Sequence, residues 1–253
     1  MKIILLHSIG GGSGVTTVTA NLAAALQGLG HRCLSIDCTP DNLLALHFGV
    51  ASDAVDGWAR SASLSQSWVE CGFEATNGER VLPFGVLDVE SLTTLRRHLA
   101  DKPKHISDIC QALSGEPLDY LLLDFSAPLT GYCSEQFSAL KDLADYSLLI
   151  ARADLQSYRL LVSHPLGQQL LTDCDILLNA VKTENELQRD LLLVMRRELE
   201  HRVISNIIHH DAAVPEAFAH LQTLNSYAPN SAAALDFYLL ALWCVNKLSK
   251  VSS

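Results

Sequence analysis

The chain has 253 residues, 49% of them hydrophobic and 18% charged, with a net charge of −10. That length buries one good-sized core and demands no second domain, so a single domain spanning 1–253 is expected. Lys and Arg are scattered and form no basic cluster, which disfavours direct nucleic-acid binding.

The seven cysteines include no Cys-x-x-Cys pair and read as small buried hydrophobes of a reducing compartment. The opening residues run straight into an apolar strand without a signal-peptide pattern. The longest unbroken apolar run, 237–245, falls short of a membrane span. These features together predict a cytoplasmic protein.

In chain order, residues 3–7 read as a first strand. The loop Ser8-Ile9-Gly10-Gly11-Gly12-Ser13-Gly14-Val15-Thr16-Thr17 follows, and Val18, Leu22, Leu26 and Leu29 then recur at helical spacing until Gly30. Strand, glycine loop and helix turn successive backbone N–H groups and a helix N-terminus toward one anion. Thr16 holds the position whose hydroxyl binds Mg²⁺ in phosphate loops, whereas Val15 stands where such loops carry their lysine.

Further strands are predicted at 32–37, 80–83, 120–124, 146–152, 175–179 and 203–208. Helices are predicted at 91–114, 134–143, 155–164, 184–201, 212–221 and 231–250. Residues 51–78, with Trp58 and Trp68, read as an irregular cap of loops and short helices. Apolar runs alternating with helices define an α/β fold: a mostly parallel twisted sheet with helices on both faces. Ligands of such sheets sit outside the carboxyl ends of the strands, here 8–17, 37–42, 124–128 and Asn179 onward. Asp37 and Asp124 each end a strand, and Leu121-Leu122-Leu123-Asp124 has the form of a strand aiming an aspartate at Mg²⁺. A dinucleotide reading, with Asp37 as the ribose ligand, is opposed by the glycines. G-x-G-x-x-G frames begun at Gly10 and Gly12 end on Val15 and Thr17.

The loop resembles that of the MinD/ParA group of deviant P-loop ATPases, K-G-G-x-G-K-[ST]-T, with which Gly10 to Thr17 aligns without a gap. Within the group the chain is similar to the cellulose-biosynthesis branch, which also lacks the loop lysine. The motifs that carry this are Pro40-Asp41-Asn42-Leu43-Leu44, Gly57-Trp58-Ala59-Arg60, Leu82-Pro83-Phe84-Gly85 and Ser107-Asp108-Ile109-Cys110. The resemblance implies a fold of the SIMIBi type and binding of ATP with Mg²⁺. The phosphates would lie on Gly10, Gly11, Gly12, Ser13, Gly14, Val15, Thr16 and Thr17. Thr16, Asp37 and Asp124 would serve the metal. Asn179 would recognise the adenine and His209, with His210, would line it. It implies also an ATP-sandwich homodimer that meets a small regulatory subunit of the cellulose synthase system and, through it, the membrane synthase complex. Partners would then recruit the chain to the inner face of the membrane. Direct membrane contact is not expected, because 231–250 reads as a core helix.

Three charged groups of that group are missing. Gly10 replaces the lysine that crosses to the partner's phosphates, Val15 the ordinary loop lysine, and Thr39 the aspartate that positions water. A charge-assisted hydrogen bond contributes about 1.5–3 kcal/mol, so each loss weakens binding by about ten- to a hundred-fold. Phosphoryl transfer depends almost wholly on stabilising transition-state charge, so hydrolysis is expected to be very slow or absent. Arg152, at the end of its strand on the loop's edge, is a candidate replacement charge. Pairing with Asp154 is the alternative use for it.

Overall fold

The computed structural model describes residues 1–51, 53–102, 104–125 and 134–250. Its frame is one eight-stranded sheet. The strands are β1 (Lys2–His7), β2 (Cys33–Asp37), β3 (Phe73–Glu74), β4 (Arg80–Leu82), β5 (Tyr120–Phe125), β6 (Tyr146–Arg152), β7 (Asp175–Val181) and β8 (Val203–His209). Their spatial order is β3-β4-β2-β5-β1-β6-β7-β8, with β1 in the middle. All neighbours are parallel except β3, which runs antiparallel to β4 along the edge.

The pleat sends successive side chains to opposite faces, and β1 obeys this residue by residue. Ile3 and Leu5 enter one core with Leu123, Leu149 and Leu178, while Ile4 and Leu6 enter the other with Leu122, Leu148 and Leu177. A strand buried on both faces needs no polar alternation, which is why Leu121-Leu122-Leu123 is continuous. Each fully buried leucine contributes roughly 1.5–3 kcal/mol.

The helices are α1 (Val15–Gly28), α2 (Trp58–Ser63), α3 (Val89–Asp101), α4 (His105–Ala112), α5 (Ser134–Leu143), α6 (Leu155–Ser163), α7 (Pro165–Leu170), α8 (Glu186–Glu198), α9 (Ala213–Ala219), α10 (Leu224–Tyr227) and α11 (Ala232–Lys250). Leu22 and Leu26 of α1 and Phe237, Leu240 and Cys244 of α11 cover one face. Trp58, Leu95, Ile109, Leu161 and Met195, from α2, α3, α4, α6 and α8, cover the other.

Three expectations are corrected. The predicted helix 91–114 is two helices, α3 and α4. Lys102 leaves helical space at φ −128°, ψ 72°, as a residue preceding a proline does, and Pro103 follows it in the sequence. The predicted helix 155–164 stops at Ser163, and α7 begins separately with Pro165 in its first turn and His164 Nδ1 accepting the Leu166 N–H at 3.2 Å. The cap at 51–78 holds the short helix α2 as expected, but also the edge strand β3, whose Glu74 pairs with Arg80 at 3.1 Å.

The unbroken apolar run also understated α11. By length and composition Ala232–Ser249 is long and apolar enough to cross a membrane. In the fold its inner face packs on α1 and β8, and Lys247 pairs with Asp175 at 3.0 Å. Leu235, Tyr238 and Leu239 stay exposed.

Candidate functional site

At the carboxyl edge of the sheet, β1 passes into the glycine loop and the loop into α1. Gly12 and Gly14 take φ +74° and +86°, a left-handed backbone that side chains disfavour. At Gly14 there is also no room, since a Cβ would stand 2.5 Å from Nδ2 of Asn179. That same Nδ2 donates to the Ser13 carbonyl at 2.8 Å, so the end of β7 is latched to the loop. Asn179 Oδ1 accepts the Ala180 N–H at 2.9 Å. The Gly14 carbonyl accepts the Val18 N–H at 2.9 Å and opens α1. Gly11 lies open, with nothing within 4 Å of a would-be Cβ, and at Gly10 a Cβ would meet only Leu160 Cδ1 at 3.2 Å. Val15 is buried in the core against the sheet.

Two carboxylates stand beside the loop on adjacent strands, Asp37 of β2 directly opposite Asp124 of β5. Both are fully buried. Asp37 is committed to its own turn. Its Oδ1 accepts the Thr39 N–H at 2.9 Å and the Thr39 hydroxyl at 2.8 Å, and its Oδ2 accepts the Leu44 N–H at 3.0 Å. Burial pushes its pKa up to about 6 against the pull of these bonds. Thr39 is itself buried and spends its hydroxyl on Asp37.

Asp124 is different. Neither of its oxygens accepts a hydrogen bond of ordinary geometry among the described residues. Burial first, and the neighbouring Asp37 second, raise its pKa well above the carboxylate range, while the Thr16 hydroxyl favours the ionised form. Two buried carboxylates without a cation are a site that a divalent ion relieves. Among the described residues no three His, Cys, Asp or Glu side chains cluster as a metal cage would require. The donors present fit Mg²⁺ shared with phosphate and water, the usual habit of that ion, with Thr16 and Asp124 as the protein's share.

Beside the loop opens a cavity of about 160 Å³, lined by Gly12, Ser13, Gly14, Thr17, Arg152 and Asn179 and, across from them, by residues 208–211 and Phe237. Among the described residues, Arg152 is the only Lys or Arg on this lining. It also pairs with Asp154 at 3.4 Å, with both side chains over a third exposed, so both uses foreseen for it are compatible. His209 is fixed at the far wall, where Asp236 Oδ2 accepts its backbone N–H at 2.8 Å and lies 2.9 Å from its Nδ1. His210 lines the cavity beside it.

The structure thus brings together Gly10 to Thr17, Asp37, Thr39, Asp124, Arg152, Asn179 and His209. Sequence reading missed Asp236 as a support for His209. Its signal was an acidic residue set among the apolar positions of α11. The residues 126–128 that follow Asp124 lie outside the described part of the chain.

A central parallel strand running into a glycine loop, flanked by strand-end aspartates, defines the MinD type of P-loop fold, and solved structures agree. MinD of Pyrococcus horikoshii, complexed with Mg-ADP, superposes with a TM-score of 0.77 at 21% identity, covering 100% of this chain and 98% of that one. Cobyrinic acid a,c-diamide synthase of Mycobacterium smegmatis, with an ATP analogue and magnesium, does so at 0.73 and 18%, covering 95% and 92%. Residues 1–245 match the family described as cellulose biosynthesis protein BcsQ, and this chain belongs to that family. The BcsQ protein of Escherichia coli K12 is 33% identical over 255 residues, covering 97% of this chain and 94% of its own. That of Salmonella typhimurium is 34% identical over 249 residues, with the same coverage.

Proposed function

We propose that this chain is an ATP-binding subunit of a bacterial cellulose-synthesis system that dimerises around nucleotide and hydrolyses it very slowly or not at all. The observation that carries the reading is Asp124, a buried carboxylate that, among the described residues, accepts no hydrogen bond of ordinary geometry and stands beside the Thr16 hydroxyl at the mouth of the glycine loop. The relatives' role in cellulose biosynthesis and the nucleotide and magnesium in the MinD-like structures support it.

In this reading Gly10 to Thr17 present backbone N–H groups to the phosphates, and the α1 N-terminus adds its positive end. Magnesium, held by Thr16 and Asp124 through ligand or water, would neutralise phosphate charge. Asp37 acts at one remove, shaping the turn through Thr39 and Leu44. Asn179 holds the loop closed behind the phosphates, and His209, steadied by Asp236, walls the base side of the cavity. Among the described residues no lysine lines the site and Thr39 offers no carboxylate, so little stabilises the charge of transfer. ATP then acts as a ligand whose binding free energy adds to the dimer interface. The closed dimer would present a surface to a small regulatory subunit, which carries the chain to the membrane synthase at the inner face of the cytoplasmic membrane.

Arg152 favours a second reading, a true ATPase switch. It lines the cavity, and its surface pair with Asp154 is cheap to break. Size-exclusion chromatography with light scattering, in Mg²⁺ with no nucleotide, ADP, ATP or a non-hydrolysable analogue, separates the two. A dimer persisting for hours with intact triphosphate, identified by mass spectrometry, is expected. A dimer that decays as ADP accumulates would establish the switch. No nucleotide and no change in mass would reject both and leave a scaffold.

A further inference from the structure

Three motifs that nucleotide chemistry leaves unused are far apart in sequence and meet in the fold. Asn42, at φ +51°, accepts the Gly85 N–H through its side-chain oxygen at 3.0 Å. Trp58 is fully buried, its indole Nε1 donating to the Asp37 carbonyl at 2.7 Å and its backbone N–H to the Pro83 carbonyl at 3.0 Å. Gly57 packs so closely on Phe84 and Gly85 that a Cβ would collide with their backbone. The result is a fixed floor under an open groove of about 170 Å³, walled by Leu43, Leu46, Val50, Pro83 and Val86 with Asp41 and Asp56 on its rim. Leu43 is 41% and Val86 44% exposed, apolar surface that water contacts in the isolated chain.

The charge around this groove is one-sided. The charged residues on its lining are Asp41 and Asp56, both acidic, and Asp53, Asp88 and Glu90 lie within a few residues of lining positions in the sequence, where Arg60 is the one Lys or Arg of 40–60 and 82–91. Arg60 donates to the Val86 carbonyl at 3.1 Å and lies 3.9 Å from Asp56, both on the groove, so it offsets Asp56 and leaves the negative charge of the rim to Asp41. Asp41 is exposed and carries no hydrogen bond or ion pair among the described residues.

We propose that this groove docks a segment of a partner protein presenting one large aliphatic side chain beside a lysine or arginine. The volume suits a single such side chain, since an engineered cavity of about 150 Å³ holds a benzene. The acidic rim selects the neighbouring cation. The same rim disfavours the alternatives: a second copy would bring acid against acid across an isologous contact, and an anionic lipid surface would be repelled. The groove also touches the candidate nucleotide site, because its wall hangs on Asp37 Oδ2 through the Leu44 N–H. That link to nucleotide rests on the proposed function, whereas the docking does not.

The test uses the full chain in a cellulose-producing host, with a benzoylphenylalanine photo-crosslinker at Val86 and, as control, at Leu187 on α8. Crosslinked peptides are sequenced by mass spectrometry. The expected product is one segment of one partner protein, with an aliphatic residue within about three positions of a Lys or Arg. Leu43→Lys should cut its yield at least tenfold while nucleotide affinity, measured on the same purified variant, stays unchanged. Products confined to a second copy or to lipid would overturn the proposal. So would a segment lacking a basic residue, a yield matched at Leu187 or undiminished by Leu43→Lys, or no product at all. A persisting crosslink in a chain that binds no nucleotide would reject the proposed function and leave the docking intact.

Discussion

Asp124→Asn should stabilise the metal-free protein, an unusual outcome for a change at a fully buried polar residue. Among the described residues Asp124 is buried, has no hydrogen bond of ordinary geometry and only the nearby Thr16 hydroxyl to favour its charge, and faces Asp37 on the next strand. Its folded-state pKa is raised, so the native state resists its ionisation and loses stability as pH rises through that value. Asn keeps the shape and never ionises. Asn is still a buried polar group, so what the variant removes is the cost of the buried charge, on the order of a few kcal/mol, and the gain should appear at the alkaline end of the range and be small near pH 4. For a chain of this size that is a rise in melting temperature of roughly 2–4 °C per kcal/mol. The assay is thermal unfolding from pH 5 to 8.5, with and without Mg²⁺ and ATP. In the parent chain Mg²⁺ with ATP should raise the melting temperature most at high pH, and the variant should lose most of that increment. A variant less stable than the parent at pH 8, or one keeping the full metal-dependent increment, would refute the reasoning.

Gly14→Ala forces a left-handed residue against Asn179 and should cost about 1–3 kcal/mol in chemical denaturation while abolishing nucleotide binding by calorimetry. Val15→Lys restores a phosphate-directed cation and should tighten ATP about ten- to a hundred-fold, at some loss of stability from the core position. Unchanged affinity there would mean that residue 15 does not face the phosphates. Arg152→Ala should weaken ATP binding several-fold, as read by fluorescence titration. No change would assign Arg152 to Asp154 alone.

The fold was legible because both of its periodicities survive in the sequence. The leucine runs of β5 and β6 and the spaced leucines of α1 each report a burial pattern fixed by local geometry. Breaks were harder to read: Pro103 and Pro165 were both visible, yet the apolar pattern continued across them. At the site, strand ends gave away Asp37, Asp124 and Asn179, because topology alone puts them on one edge. What they do there depends on hydrogen bonds that no spacing encodes. Asp37 and Asp124 look alike in sequence, but one is consumed by Thr39 and Leu44, whereas the other has only the Thr16 hydroxyl beside it among the described residues. The groove was hidden for the same reason, since its three motifs join only through tertiary contacts such as Asn42 to Gly85.

The central place of β1 has a consequence for how the protein is made. Lys2 pairs with Tyr120 and Ile4 with Tyr146, so the middle strand leaves the ribosome well before either neighbour exists. At roughly 5–20 residues per second, its apolar residues wait on the order of ten seconds unpaired. The glycine loop waits longer, because its latch is Asn179 on β7. A newly made copy therefore exposes this apolar strand until its later partners emerge. Slow, concentration-sensitive refolding follows from the same order, as expected where the most distant pairings form the centre of the sheet.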